Sequence, residues 1–310
     1  MTQTKHLIYD AHAHLVSDDT VRYPKNPVPV SLEGAPKGSD FGPGVMGFPG
    51  GMHGPEPVNI KPTAEQLHGW MKEENVVGIA AVQKGLLYRT DNSYIVDAAN
   101  LFPNEMGAVI IIDPMEEKTL PMIRELVKKG VIGIRFFPIN VEDKIAWLSS
   151  DQSMAVWALA DELGLIVDIE APALGGNELL PLVASMAARF PSMKVVLDHI
   201  FLPKLREPDF GIGGNFDSVQ ALDNVSVKWT SLNMDVVFNN GLEPAKVLRR
   251  AVDYIGAHKV MWGSDIGTSS GTYAEMIQRA IASTSLLSDD ERTQVLHDTG
   301  RRIFTGWTGE

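Results

Sequence analysis

The residues best suited to chemistry sit near the two ends of the chain. The stretch "DAHAH" carries Asp10, His12 and His14 directly after the apolar run "HLIY". Side chains alternate across a strand, so His12 and His14 project from one side with Asp10 a step behind. Two neutral imidazoles that converge in this way suit a metal ion or the polarisation of a substrate oxygen. Much further on, "LDHI" carries His199 and "WGSDIG" carries Asp265. Three imidazoles and a carboxylate match a mononuclear divalent-metal site, in which Asp265 can alternatively serve as base toward a bound water. Each member also has a duller reading: His-x-His alone is a weak signal, and Asp265 after a Gly-Ser turn could cap a helix beginning near Gly271. His6, His53, His68, His258 and His297 read as surface or satisfied core histidines, although His53, within the Gly/Pro-rich 24–62 segment, could reach the site.

What would bring such distant residues together is a repeating βα rhythm. Strand-like runs fall at 7–10, 76–82, 107–112, 131–136, 165–169, 194–198, 225–229 and 259–263, several of them apolar throughout, as strands covered on both faces should be. Helical patterns lie between them at about 63–74, 91–102, 117–129, 151–163, 177–190, 242–256, 271–284 and 288–304. Thr63 with Gln66 and Ser288 with Glu291 make capping boxes, whereas the unit after the sixth strand is weak, with only 217–223 fit to be helical. Eight units in 310 residues predict one (β/α)8 barrel spanning 1–310, with a doubly wound open sheet as the competing topology. A barrel places His12 and His14, His199 and Asp265 at the C-terminal ends of strands one, six and eight, the face that carries active sites. Residues 24–62, dense in Gly and Pro, break the rhythm and read as a long inserted loop after the first strand. It is either a lid with Phe41, Met46, Phe48 and Met52 beneath it, or a surface loop or contact in a homo-oligomer.

Composition removes several functions. A net charge of −12 without clustered Lys and Arg argues against a nucleic-acid partner. The absence of cysteine leaves only His, Asp and Glu as metal ligands. No long apolar run occurs at the N-terminus or later, so no membrane partner is expected and a cytoplasmic protein is. The glycines of "GPGVMGFPGG" follow no strand-to-helix transition and lack a Lys-Ser or Lys-Thr, and "GTSSG" is no nucleophile elbow, which sets aside nucleotide binding and serine hydrolysis.

In sequence order, "DAHAH", "VQKGLLYRTDNSYIVDA", "GIRF", "VLDHI", "VKWT", "VMWGSD" and the closing "HDTGRRIFTGW" resemble the amidohydrolase superfamily, in the branch containing 2-pyrone-4,6-dicarboxylate lactonase, L-fuconolactonase and muconolactone hydrolases. The resemblance covers most of the chain. It implies that His12 and His14 are the family's His-x-His, His199 its strand-six His, and Asp265 the residue that activates water to open a lactone. It implies one divalent ion on His12, His14, His199 and Asp265, zinc first and manganese second, although the branch includes enzymes that work without metal. Strand four offers "GIRFFP" and strand five "IVDIEAP" where other members carry a bridging Lys and a further His, so a two-metal site is not expected. Glu170 stands near the missing strand-five ligand, or else pairs with a neighbouring Arg. By the same resemblance Arg135 meets a substrate carboxylate, with an ion pair inside the barrel as its structural alternative. Lys84, Tyr88 and Arg89 after strand two and Trp229 after strand seven are candidates for the mouth. Two rival readings use the same residues: a metal-dependent decarboxylase of aromatic or muconate-type acids, and a catalytically silent barrel that binds sugar acids.

Overall fold

The protein is described from a computed structural model, which covers residues 6–27, 60–138, 141–170, 176–206 and 208–305. Most of the expected lid, including His53 and its four apolar residues, lies outside the described residues. Eight parallel strands pair in chain order: β1 Ile8–Ala13, β2 Val76–Val82, β3 Met106–Ile112, β4 Val131–Phe136, β5 Ile166–Ile169, β6 Val195–Leu197, β7 Val225–Thr230 and β8 Val260–Gly263. A doubly wound sheet would reverse its strand order at a switch point, and this order never reverses. The chain after β8 returns to β1: Asp265 N donates to His12 O at 2.7 Å and Ile266 O accepts from His14 N at 3.1 Å. The fold is therefore the (β/α)8 barrel that the βα rhythm predicts.

The two capping boxes form as read, starting helices Ala64–Glu74 and Asp289–Thr293. Three local features differ from expectation. The sixth strand is shorter than 194–198, because the chain leaves it through four consecutive left-handed residues, His199 to Leu202, with φ between 46° and 54°. Helices Lys144–Ser149 and Ser231–Asn239 were not anticipated. The closing helix is not uniform but passes through one π-helical segment, Gln294–Asp298.

Side-chain alternation sorts the strands into an outer and an inner surface. Val225, Val227 and Trp229 of β7 join the outer core beneath the helices, while Ser226, Lys228 and Thr230 turn inward. The inner floor is apolar, built from Tyr9, Ala11, Val109, Ile132, Ile166, Val196 and Met261 and closed by Ile303 and Phe304 of the last helix. Above that floor the interior becomes charged, with Arg135, Asp168, Asp198 and Lys228 all buried. No helix among the described residues is long and apolar enough to cross a membrane.

Barrel closure depends on Gly263. A Cβ there would come within 2.6 Å of His12 Cβ and 2.9 Å of its backbone nitrogen, so any larger residue must push β1 and β8 apart. Gly263→Ala is expected to cost about 1–3 kcal/mol, the usual range for overpacking. It should also displace His12. Urea unfolding reads the first effect; an unchanged midpoint would show that the seam yields freely.

Candidate active site

His12 and His14 leave the end of β1 and Asp265 follows the end of β8. The bulged pairing of β1 with β2, irregular between Asp10 and Ala13, lets both imidazoles face the barrel axis region rather than its wall. Behind them Asp10 acts as a clamp. Its Oδ1 accepts from His12 N at 3.0 Å and Ser264 N at 2.8 Å, and its Oδ2 from the Tyr273 hydroxyl at 3.0 Å, tying β1, the β8 end and helix Tyr273–Ser283 together. Asp265 has φ +51°, a left-handed conformation that turns its carboxylate back over β1.

Three ligand atoms then converge. His14 Nε2 stands 3.3 Å from His12 Nε2 and 3.2 Å from Asp265 Oδ1, and His12 Nε2 stands 3.7 Å from that oxygen. His14 Nδ1 lies 2.8 Å from the Val82 carbonyl, which can only accept, so Nδ1 carries the proton and Nε2 presents a bare lone pair. His12 Nδ1 lies 3.1 Å from both Asp198 Oδ1 and Lys228 Nζ, an acceptor and a donor, so its neighbours admit either tautomer of that ring. Two acceptors, His14 Nε2 and Asp265 Oδ1, thus face each other beside His12 Nε2, an arrangement that a positive charge in their midst stabilises. A proton is disfavoured there: burial, reinforced for His14 by the Lys84 charge, pushes His14 down to about 4 and His12 well below its ordinary value. A cation fits instead. Ligands about 2.1 Å from a tetrahedral ion lie about 3.4 Å apart, the scale of these three separations.

His199 stands beside this trio. With His12 and Asp198 it forms a second group whose ligand atoms lie within 4.8 Å of one another. Its Nδ1 is 2.7 Å from Thr230 Oγ1, and its Nε2 is 3.4 Å from Glu170 Oε2. Thr230 is the N-cap of helix Ser231–Asn239, and in its capping box with Asn233 the Asn233 amide also donates to the His199 carbonyl at 2.7 Å. The cap therefore fixes both the ring and the left-handed turn that carries it. Burial opposes a charge on His199, yet the adjacent Glu170 carboxylate and the more distant Asp265 and Asp198 raise it to about 9. Asp265 goes the other way: burial works against its charge, but contact with His14 and the neighbouring His199 and His12 hold it below the usual carboxylate range. Its Oδ2 accepts from Ser269 Oγ at 3.0 Å.

Beneath the trio, Lys228 Nζ bonds Asp168 and stands 2.9 Å from Asp198 Oδ1. Burial, and then the Asp198 charge, push Asp168 up to about 7. His14, Glu170, His199 and Asp265 open into a pocket whose walls add Lys84, Arg135, Leu232 and Thr268.

A sequence model of the amidohydrolases, Amidohydro_2, matches residues 9–305. The chain belongs to the amidohydrolase family. Solved structures agree on the fold. A probable 2-pyrone-4,6-dicarboxylic acid hydrolase from Acinetobacter baumannii, with citric acid bound, is 15% identical over 96% of this chain and 98% of that one, at a TM-score of 0.67. An amidohydrolase from Burkholderia multivorans with bound zinc is 20% identical over 96% and 99%, at 0.68. The 5-carboxyvanillate decarboxylase of Sphingomonas paucimobilis is 16% identical over 79% and 84%, at 0.57. No curated protein matches the chain.

The remaining candidates for the mouth of this amidohydrolase divide. Lys84 and Glu170 reach the pocket. Arg135 lines it too, but the guanidinium is held by two carboxylates, Glu170 and Asp198, the latter 2.7 Å from its Nε and Nη2. The structural alternative for Arg135 and the Arg pairing of Glu170 are therefore what the geometry presents. Tyr88 is turned away from the pocket, its hydroxyl accepting from Ser17 N at 3.0 Å. Trp229 faces outward and donates to Ser283 Oγ at 3.1 Å, as the alternation of β7 requires. Arg89 bonds the carbonyls of Asn26 and Pro27 at the surface. Asp265 caps no helix in this amidohydrolase; Thr272 does that for Tyr273–Ser283. Asp198 and Thr230 carry no expectation from sequence, although strand alternation points both inward and "TSLN" spells the cap at Thr230.

Proposed function

We propose that this amidohydrolase hydrolyses a lactone, with Asp265 as base toward water and His199 as donor to the carbonyl oxygen. The observation that supports this reading is the convergence of three potential ligand atoms, His12 Nε2, His14 Nε2 and Asp265 Oδ1, beside a charged imidazole at one pocket. A divalent ion held by His12, His14 and Asp265, zinc or manganese, would when bound polarise the carbonyl and acidify water. Asp265 stays ionised at neutral pH and its carboxylate can take a proton as water oxygen bonds to the carbonyl carbon. His199, protonated at the same pH and fixed through Thr230, is placed to donate Nε2–H to the oxyanion that develops. We assign it to the substrate rather than to the ion, a narrower role than the four-ligand set expected from sequence. When the ring C–O bond breaks, the proton on Asp265 passes to the leaving oxygen, giving a hydroxy acid with Asp265 restored.

A panel of five- and six-membered lactones and of aromatic acids, in weak buffer with a pH indicator and a CO2 detector, tests the reading. Proton release from at least one lactone is expected. CO2 release from an acid, with every lactone inert, would replace it by the decarboxylase; silence across the panel would favour a binding barrel.

A further inference from the structure

We infer that Lys84 is the specificity-determining residue of this pocket and that the substrate carries a single carboxylate, which Lys84 binds. The inference rests on the pocket being the substrate site, as proposed above, and goes on to name what the substrate must present there.

The buried cations near the pocket are not equivalent. Arg135 is saturated by Asp198 and Glu170. Lys228 lies below the trio, fully buried between Asp168 and Asp198. Lys84 is different: it is only 5% exposed, lines the pocket, and bonds the neutral hydroxyl of Thr268. Among the described residues no carboxylate lies within ion-pair distance of its Nζ; Asp265 and Glu170 act on it only from further away, and Lys61 and Arg135 add like charge. Removing an ammonium from water without a counter-charge is costly, so a protein that keeps one facing a binding pocket gains when a ligand supplies the anion. One such position is present, which suits one carboxylate. A dicarboxylate would need a second, and the guanidinium that could serve it is already engaged. Leu232 supplies an apolar wall for the rest of the ring.

Lys84 leaves the end of β2, Thr268 follows β8 and the base is Asp265, so an anion at Lys84 fixes the substrate at the rim while its carbonyl faces the trio. Recognition and chemistry are then separate, and a Lys84 variant should change binding more than turnover.

The test is calorimetric titration with two unreactive probes, cyclopentanecarboxylate and its methyl ester, so that it does not depend on any lactone being turned over. The parent protein should bind the carboxylate at least tenfold more tightly than the ester. Lys84→Met should remove that preference and leave ester binding within about threefold; Lys84→Arg should restore part of it; Arg135→Lys should keep it wherever the variant folds by circular dichroism. Equal affinity of the parent for the two probes, or an undiminished preference in Lys84→Met, would overturn the inference. Carboxylate preference that depends on Lys84 in a protein inert to every lactone would uphold this assignment while removing the lactonase reading, so the two fail separately.

Discussion

Asp265→Asn is expected to lower kcat by about 10³, within the range set by loss of a positioned general base. The substitution isolates chemistry from folding for a physical reason. Asp265 occupies a left-handed backbone conformation at φ +51°, and Asn is among the few residues that adopt it readily. The amide keeps the shape of the carboxylate and can still accept from Ser269 Oγ, and the backbone bond from residue 265 N to the His12 carbonyl is untouched. The thermal midpoint should therefore stay within a few degrees of the parent. What is lost is an ionised oxygen beside His12 Nε2 and His14 Nε2 and an acceptor for the water proton. Steady-state kinetics on the best lactone of the panel reads the effect. A variant that retains a tenth or more of parental kcat would remove Asp265 from the role of base.

Lys228→Met is expected to destabilise the fold by about 3–5 kcal/mol, because breaking a buried ion pair leaves an uncompensated charge. Lys228 bonds Asp168 and stands 2.9 Å from Asp198, all three buried, in the layer between the apolar floor and the imidazoles. Without the ammonium, Asp198 keeps Arg135, but Asp168 loses its ion-pair partner and the two carboxylates repel. Removing the second charge as well should recover part of the loss, so Lys228→Met with Asp168→Asn should unfold at a higher urea concentration than Lys228→Met alone. A single variant as stable as the parent would show that water or local relaxation already solvates the pair.

How far the sequence led can be seen residue by residue. The strands, their order and the closing of β8 onto β1 follow from local pattern: apolar runs, a repeated period and capping boxes are properties of neighbours in the chain. His12, His14 and Asp265 were legible because a barrel converts position at a strand end into proximity. An ion pair for Arg135 and an Arg partner for Glu170 were legible too, but Asp198 as the second carboxylate on Arg135 was not, since it comes from the turn after β6 and only the assembled barrel decides which cation meets which anion. Trp229 was misplaced for a different reason. The alternation of β7 sends residues 226, 228 and 230 inward, so residue 229 must face the helices. The left-handed turn at His199–Leu202 has no sequence signal, for none of its four residues is Gly or Asn. It is held by Asn233 and Thr230 some 30 positions on.

We propose that His12, His14 and Asp265 surround one divalent cation. Elemental analysis of the purified protein, stripped with chelator and reloaded with zinc or manganese, tests it most directly, with His14→Ala measured alongside. About one ion per chain is expected in the parent and a small fraction of that in the variant. A reloaded parent without stoichiometric metal, or a His14→Ala protein that holds as much as the parent, would contradict it.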